Sequence, residues 1–193
     1  AMLRLARSWR AVPRAAWGVP LACRSFTRAT SHYALLGLAE SFEVDQAQLE
    51  SKYKELQRQF HPDRHVASSE EDKAAAEEQS ARVNEAVAVL RTPLRRAEYW
   101  MTLKGQAVLL EEQRIEDAAT MMEVMETSEE LDDAKTQEQV DEIRARNNSK
   151  IRAVEAELAS LFSKEDWATA RQRVERLQML TRLQERMDDW RPK

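Results

Sequence analysis

Residues 45–63 read DQAQLESKYKELQRQFHPD. Asp45 suits a helix N-cap, because its carboxylate can accept from the first free backbone N–H groups, and Gln48 three residues on can complete a capping box. Leu49, Tyr53, Leu56 and Phe60 then recur at spacings of four, three and four. They make one apolar stripe of an amphipathic helix, with Lys52, Lys54 and Arg58 largely off its centre. A residue that precedes proline is biased away from helical angles, so His61 before Pro62 ends the helix sharply. His61-Pro62-Asp63 is therefore read as a loop whose side chains point outward.

Helical patterns continue on both sides. Residues 31–40, SHYALLGLAE, predict a short apolar helix stopped at or near Gly37. From Ser69 or Glu70 to Leu90 a longer helix is expected, with Val83, Val87 and Leu90 on its inner side. Pro93 breaks the pattern and restarts it, and Gly105 stops the short piece that follows. Leu94, Ala97, Tyr99, Trp100 and Leu103 are too many apolar side chains for a solvated linker, so this piece is expected to pack the flanking units together.

Three more helices are predicted, at about 113–133, 137–162 and 164–190. The middle one carries Val140, Ile143, Asn147, Ile151, Val154, Leu158 and Leu161, a coiled-coil-like seam with one polar interruption. The last has a capping signal in Ser163-x-x-Asp166 and a seam of Trp167, Ala170, Val174, Leu177 and Thr181. At about 100° per residue Met179 lies off that seam, and Leu183 and Trp190 are read as lying on the same side. In the first of the three, Ile115, Ala118, Ala119 and Met122 face one way, Met121 and Met125 form a shoulder, and Glu126 and Glu129 border it. Flexible methionines beside acids suit an adaptable protein-binding patch; alternatively they complete the core of a helix that touches two neighbours. The expected fold is all-α, a three-helix bundle following a smaller helical unit.

Composition agrees and excludes several classes. The chain has 193 residues with three glycines, five prolines and one cysteine. That is far below the roughly 12% glycine plus proline of average proteins, which disfavours turn-rich β architectures. Gly18, Gly37 and Gly105 are too far apart for a dinucleotide fingerprint or a P-loop. One cysteine allows no intrachain disulfide and no thiolate-held cluster within a monomer. Residues 1–30 hold six arginines and no acid, whereas the rest of the chain carries 24 basic against 34 acidic side chains. An arginine-rich, acid-free leader with no long apolar run has the composition of a mitochondrial transit peptide, cut near Arg24-Ser25-Phe26 or after Arg28; the alternative is a basic arm.

The order short helix, basic amphipathic helix, His-Pro-Asp and second long helix, with Val83-Asn84-Glu85-Ala86 near its end, resembles a J-domain. The resemblance implies that His61, Pro62 and Asp63 stimulate ATP hydrolysis by a DnaK-type chaperone, with Lys52, Lys54, Arg58 and Arg64 as electrostatic contacts. Further motifs are Pro93-Leu94-Arg95-Arg96-Ala97-Glu98-Tyr99 and Met121-Met122-Glu123-Val124-Met125-Glu126 with Glu129-Glu130-Leu131. With these, residues 32–190 resemble HscB-type co-chaperones of iron–sulfur cluster biogenesis. In that family the bundle binds an IscU-type scaffold. The resemblance carries this patch onto Met121, Met122, Met125 and Met179, with Glu126 and Glu129 at the rim. The implied organisation is a transit peptide (1–30), a J-domain (31–92), a linker helix (93–106) and a scaffold-binding bundle (107–193). The protein would be a non-enzymatic adaptor in the mitochondrial matrix, without cofactor or metal, and without nucleic-acid or membrane partners.

Other readings of the same residues remain. His61-x-Asp63-x-His65 offers three metal ligands or an acid–base pair, though no fourth ligand or nucleophile is evident and His32 is the one other histidine. A J-domain protein presenting a different client, or a structural helical protein with an accidental tripeptide, would share much of this pattern.

Overall fold

A computed structural model describes residues 31–60, 69–106 and 118–192. The fold is all-α: α1 (His32–Leu36), α2 (Gln46–Phe60), α3 (Glu70–Arg91), α4 (Pro93–Leu103), α5 (Ala118–Asp133), α6 (Gln137–Ser163) and α7 (Trp167–Asp188). From His32 onward the chain forms one compact unit.

Helix ends follow local chemistry. Gly37 adopts a φ of 65° and Gly105 one of 68°. Each lets the chain close a helix with paired bonds, Leu38 N to Tyr33 O and Gly37 N to Ala34 O in one case, Gln106 N to Met101 O and Gly105 N to Thr102 O in the other. Asp45 Oδ1 accepts from Ala47 N at 2.9 Å, so it caps α2. Ser69 Oγ accepts from Asp72 N at 3.2 Å and caps α3, whose acidic first turn suits the helix dipole. Pro93 opens α4, where a missing N–H costs nothing.

The α6–α7 turn departs from expectation. Asp166, not Ser163, is the N-cap of α7, accepting from Thr169 N at 3.2 Å, and Glu165 sits at a φ of 56°. It occupies the position that Gly37 and Gly105 fill elsewhere, with Asp166 N bonded to Leu161 O and Glu165 N to Phe162 O. A left-handed non-glycine residue costs about 1–2 kcal/mol, offset on substitution by the larger unfolded-state entropy of glycine. Glu165→Gly should therefore raise stability by about 0.5–1 kcal/mol, seen as a thermal midpoint higher by about 1–4 °C. An unchanged or lower midpoint would contradict this account of the turn.

The α2–α3 hairpin is antiparallel. Leu49, Val83 and Leu90 are fully buried with Leu36 and Tyr33 of α1, and Asn84 Oδ1 accepts from Tyr53 Oη at 3.2 Å and Gln57 Nε2 at 2.7 Å. In the bundle, Val140, Ile143, Val154 and Leu158 of α6 are buried as the seam requires, joined by Phe162. Asn147, the polar interruption, donates through Nδ2 to Leu180 O at 3.0 Å and Gln184 Oε1 at 3.2 Å, which fixes the register of α6 on α7.

Four expectations need correction. Leu183 is buried, not off the core: with Met187 it joins Leu131, Ala134, Val140 and Ile143, and Trp190 packs on the same cluster. The reason is that α7 changes neighbours along its length. It packs on α4, α5 and α6, and where Leu183 and Met187 join Leu131 of α5 with Val140 and Ile143 of α6 the buried stripe has rotated from that of Ala170 and Val174. Ala118, Ala119 and Met122 are exposed rather than inward, because α5 instead turns Thr120, Val124 and Leu131 to the bundle. Ile115 lies outside the described residues. Leu103 is exposed, whereas Arg96, seven residues earlier on the same helix, is buried.

Candidate functional site

Two surfaces carry the sequence-predicted residues. On the first, α2 presents Lys52, Lys54 and Arg58, and ends at Phe60 immediately before His61-Pro62-Asp63-Arg64. Those four residues, and His65, lie outside the described residues. Lys52 pairs with Glu55 at 3.0 Å and Lys54 with Glu50 at 3.6 Å, while Glu50 also reaches Arg91 of α3 at 2.7 Å. All are surface pairs, worth about 0–1 kcal/mol each, so a partner's acids can take the cations over at little cost. Among the described residues no three His, Cys, Asp or Glu side chains cluster to hold a metal ion.

The second surface is the outer face of α5. Met121, Met122 and Met125 are 42%, 63% and 59% exposed. One turn separates Met121 from Met125, Met122 from Glu126, and Met125 from Glu129, so the methionines form one apolar area with both acids along its edge. Glu126 also lines a notch of about 200 Å³ between α5 and α6, with Thr127, Glu130, Arg146, Asn147 and Lys150. Met179 lies on α7 and is half-buried. Arg176 pairs with Glu123 at 2.9 Å and Arg186 with Asp132 at 3.0 Å. These two pairs bracket Met179 along the seam between α7 and α5.

Charged pairs add to the buried contacts of Thr120, Val124 and Leu131 in holding the helix that bears this face. Glu123, quoted in the motif above without a role of its own, bridges both neighbours, meeting Lys150 of α6 at 3.0 Å and Arg176 of α7 at 2.9 Å. Glu130 pairs with Arg146, and Arg186 also donates to Ser128 Oγ at 3.0 Å. Its spacing of seven from Glu130 was the available signal, since two acids on one flank can meet a basic helix.

Burial also alters titration where α1 meets α4. Burial pushes the Tyr33 hydroxyl up to about 12 and lowers His32, whose ring lies on Tyr99 at 4.3 Å. Both groups stay neutral near pH 7, which suits an apolar joint.

The DnaJ domain family model matches residues 31–99, and the model described as the HSCB C-terminal oligomerisation domain matches residues 116–188. Co-chaperone protein HscB of Proteus mirabilis is 31% identical over 161 residues, covering 81% of this chain and 93% of that protein. An HscB homolog of Vibrio atlanticus is 33% identical over 162 residues, covering 82% and 95%. The crystal structure of human co-chaperone protein HscB superposes with a TM-score of 0.77 at 26% identity, covering 94% of this chain and 93% of that one.

Proposed function

The chain belongs to the HscB co-chaperone family, and from that membership we propose that it is a two-ended adaptor in iron–sulfur cluster assembly. One end is the tripeptide His61-Pro62-Asp63 with Lys52, Lys54, Arg58 and Arg64, which stimulates the ATPase of a mitochondrial DnaK-type chaperone. The other is the α5 face, Met121, Met122 and Met125 with Glu126, Glu129 and Met179 at its edges, which binds an IscU-type scaffold. The adaptor performs no chemistry of its own. Holding both partners on one body raises their effective concentration for each other.

The exposure of three methionines on one helix face carries this reading: an apolar area so open to water is stabilised by a partner. Methionine chains adapt their shape, which suits a client that changes state. We assign residues 1–30 as a transit peptide to the matrix, on their six arginines and lack of acids.

The decisive experiment reconstitutes the chaperone, the scaffold and this chain. Stimulation by the chain alone, and a further increase with scaffold, is the expected result. A chain that stimulates the ATPase but captures another mitochondrial protein in place of the scaffold would reassign the client. Salt separates the two ends. Raising ionic strength from about 0.05 to 0.5 M should reduce stimulation several-fold, because the chaperone contact is electrostatic, and should change scaffold affinity less than about twofold. Equal salt slopes for both would contradict the assignment of the two surfaces.

A further inference from the structure

We infer that Arg96 is the positioning residue that sets the angle between the two ends of the adaptor, an inference that rests on the function proposed above. Arg96 lies on α4 and is 5% exposed. One terminal nitrogen donates to Leu90 O at 2.8 Å, a carbonyl at the end of α3 left free by the helix pattern. The other donates to Glu155 Oε1 on α6 at 2.7 Å. The guanidinium carbon stands 5.1 Å from the centre of the Phe42 ring, in the segment leading into α2. A single rigid plane thus touches the chaperone-binding hairpin through Leu90 and Phe42, and the bundle through Glu155.

Among the described residues another directional side-chain bond near this joint runs from Arg171 of α7 to Gln106 Oε1 at 3.0 Å, and it reaches neither α3 nor the segment leading into α2. Phe42 meets Phe162 of α6 edge-on at 4.9 Å, and Trp100 lies 6.5 Å from the same ring. Such aromatic contacts stabilise the joint, yet they tolerate rotation. A planar fork with two partners on different helices does not, and lysine lacks that fork.

Stability alone is a poor reason for this arrangement. Burying the charge costs several kcal/mol before pairing, and Arg96 Nε is buried without a hydrogen-bond partner. An apolar pair would hold the helices together about as well. What the ion pair adds is one geometry, and a scaffold on α5 reaches the chaperone only in a competent fraction of geometries. Lowering that fraction lowers apparent affinity in proportion.

The test uses full-length chain in the reconstituted ATPase assay, comparing wild type with Glu155→Gln, with Arg96→Lys, and with Arg96→Met combined with Glu155→Leu. Three quantities are read: stimulation by the chain alone, scaffold affinity without chaperone, and the scaffold concentration for half-maximal extra stimulation. The first two should stay within about twofold of wild type in all variants. The third should rise about five- to tenfold in the Met/Leu variant and by a smaller factor in Glu155→Gln and Arg96→Lys. The thermal midpoint of the Met/Leu variant should stay within about 3 °C. Unchanged half-maximal concentrations would overturn the inference. Should the double variant not fold, Glu155→Gln decides alone, since its side chain is 23% exposed and the change is isosteric. A wild-type chain that binds no scaffold would instead sink the adaptor reading itself, and this inference with it.

Discussion

His61→Gln should abolish stimulation of the chaperone ATPase, a loss of at least about tenfold, while thermal unfolding and helical content stay as in wild type. The expected size follows from where the residue stands in sequence. It comes directly after Phe60, the last residue of α2, and α3 begins eight residues after the tripeptide's Pro62, capped by Ser69. Both flanking helices are anchored without it. Leu49 is fully buried, and Tyr53, Gln57 and Asn84 tie α2 to α3 through hydrogen bonds. A neutral polar exchange at His61 leaves each of these anchors in place, and changes that spare such contacts usually cost within about 0.5 kcal/mol. A large functional loss with no stability loss is the signature of a residue spent on a partner. ATPase turnover at saturating variant, with circular dichroism on the same sample, checks both halves; undiminished stimulation would remove the tripeptide from the mechanism.

Helix boundaries were legible because the chemistry that ends a helix is local. Gly37, Gly105, Pro93, Asp45 and Ser69 each act within a few residues of themselves, and each does in the structure what its type predicts. Glu165 shows the limit of that rule. Its left-handed turn closes α6 just before Asp166 caps α7, and no local preference of glutamate announces it.

Helix faces were legible where one neighbour dominates along the whole helix, as α7 does for α6. On α6 the periodic seam and the buried residues nearly coincide. On α7 they diverge after Leu177, because the neighbours change and the stripe must rotate with them. Arg96 is a different kind of miss. It lies four residues before the buried Trp100, so periodicity already placed it on the packed face of α4. Residue type argued for water, and a carbonyl and a carboxylate some 6 and 59 positions away in sequence overrode it.

The candidate scaffold face was visible as a cluster of methionines, but whether it faced in or out was not. Periodicity left both readings open, because Met122 shares a side with Ala118 and Ala119, a side that looks apolar enough to be core. Thr120 decides against this. It is 2% exposed, and with Val124 and Leu131 it defines the inner face, which leaves the methionines outside.

Replacing Met121, Met122 and Met125 together by Ala should weaken scaffold binding about 100-fold. Each side chain has only part of its surface left to bury, so each truncation removes roughly 1 kcal/mol of apolar burial, and about 3 kcal/mol in total converts to that factor. Stability should not fall. The three side chains are 42–63% exposed in the free protein, and alanine is the better helix former. Stimulation by the chain without scaffold should be intact, since α5 packs on α6 and α7 and its anchors, Glu123 and Glu130, are untouched. Met179 is the informative contrast. It is half-buried at the α5–α7 seam, so Met179→Ala alone should lower both the thermal midpoint and the affinity, whereas the triple variant lowers affinity alone. Calorimetric titration of scaffold into each variant, beside thermal melts, distinguishes a docking face from a structural one. Undiminished binding by the triple variant would move the scaffold site off α5 altogether.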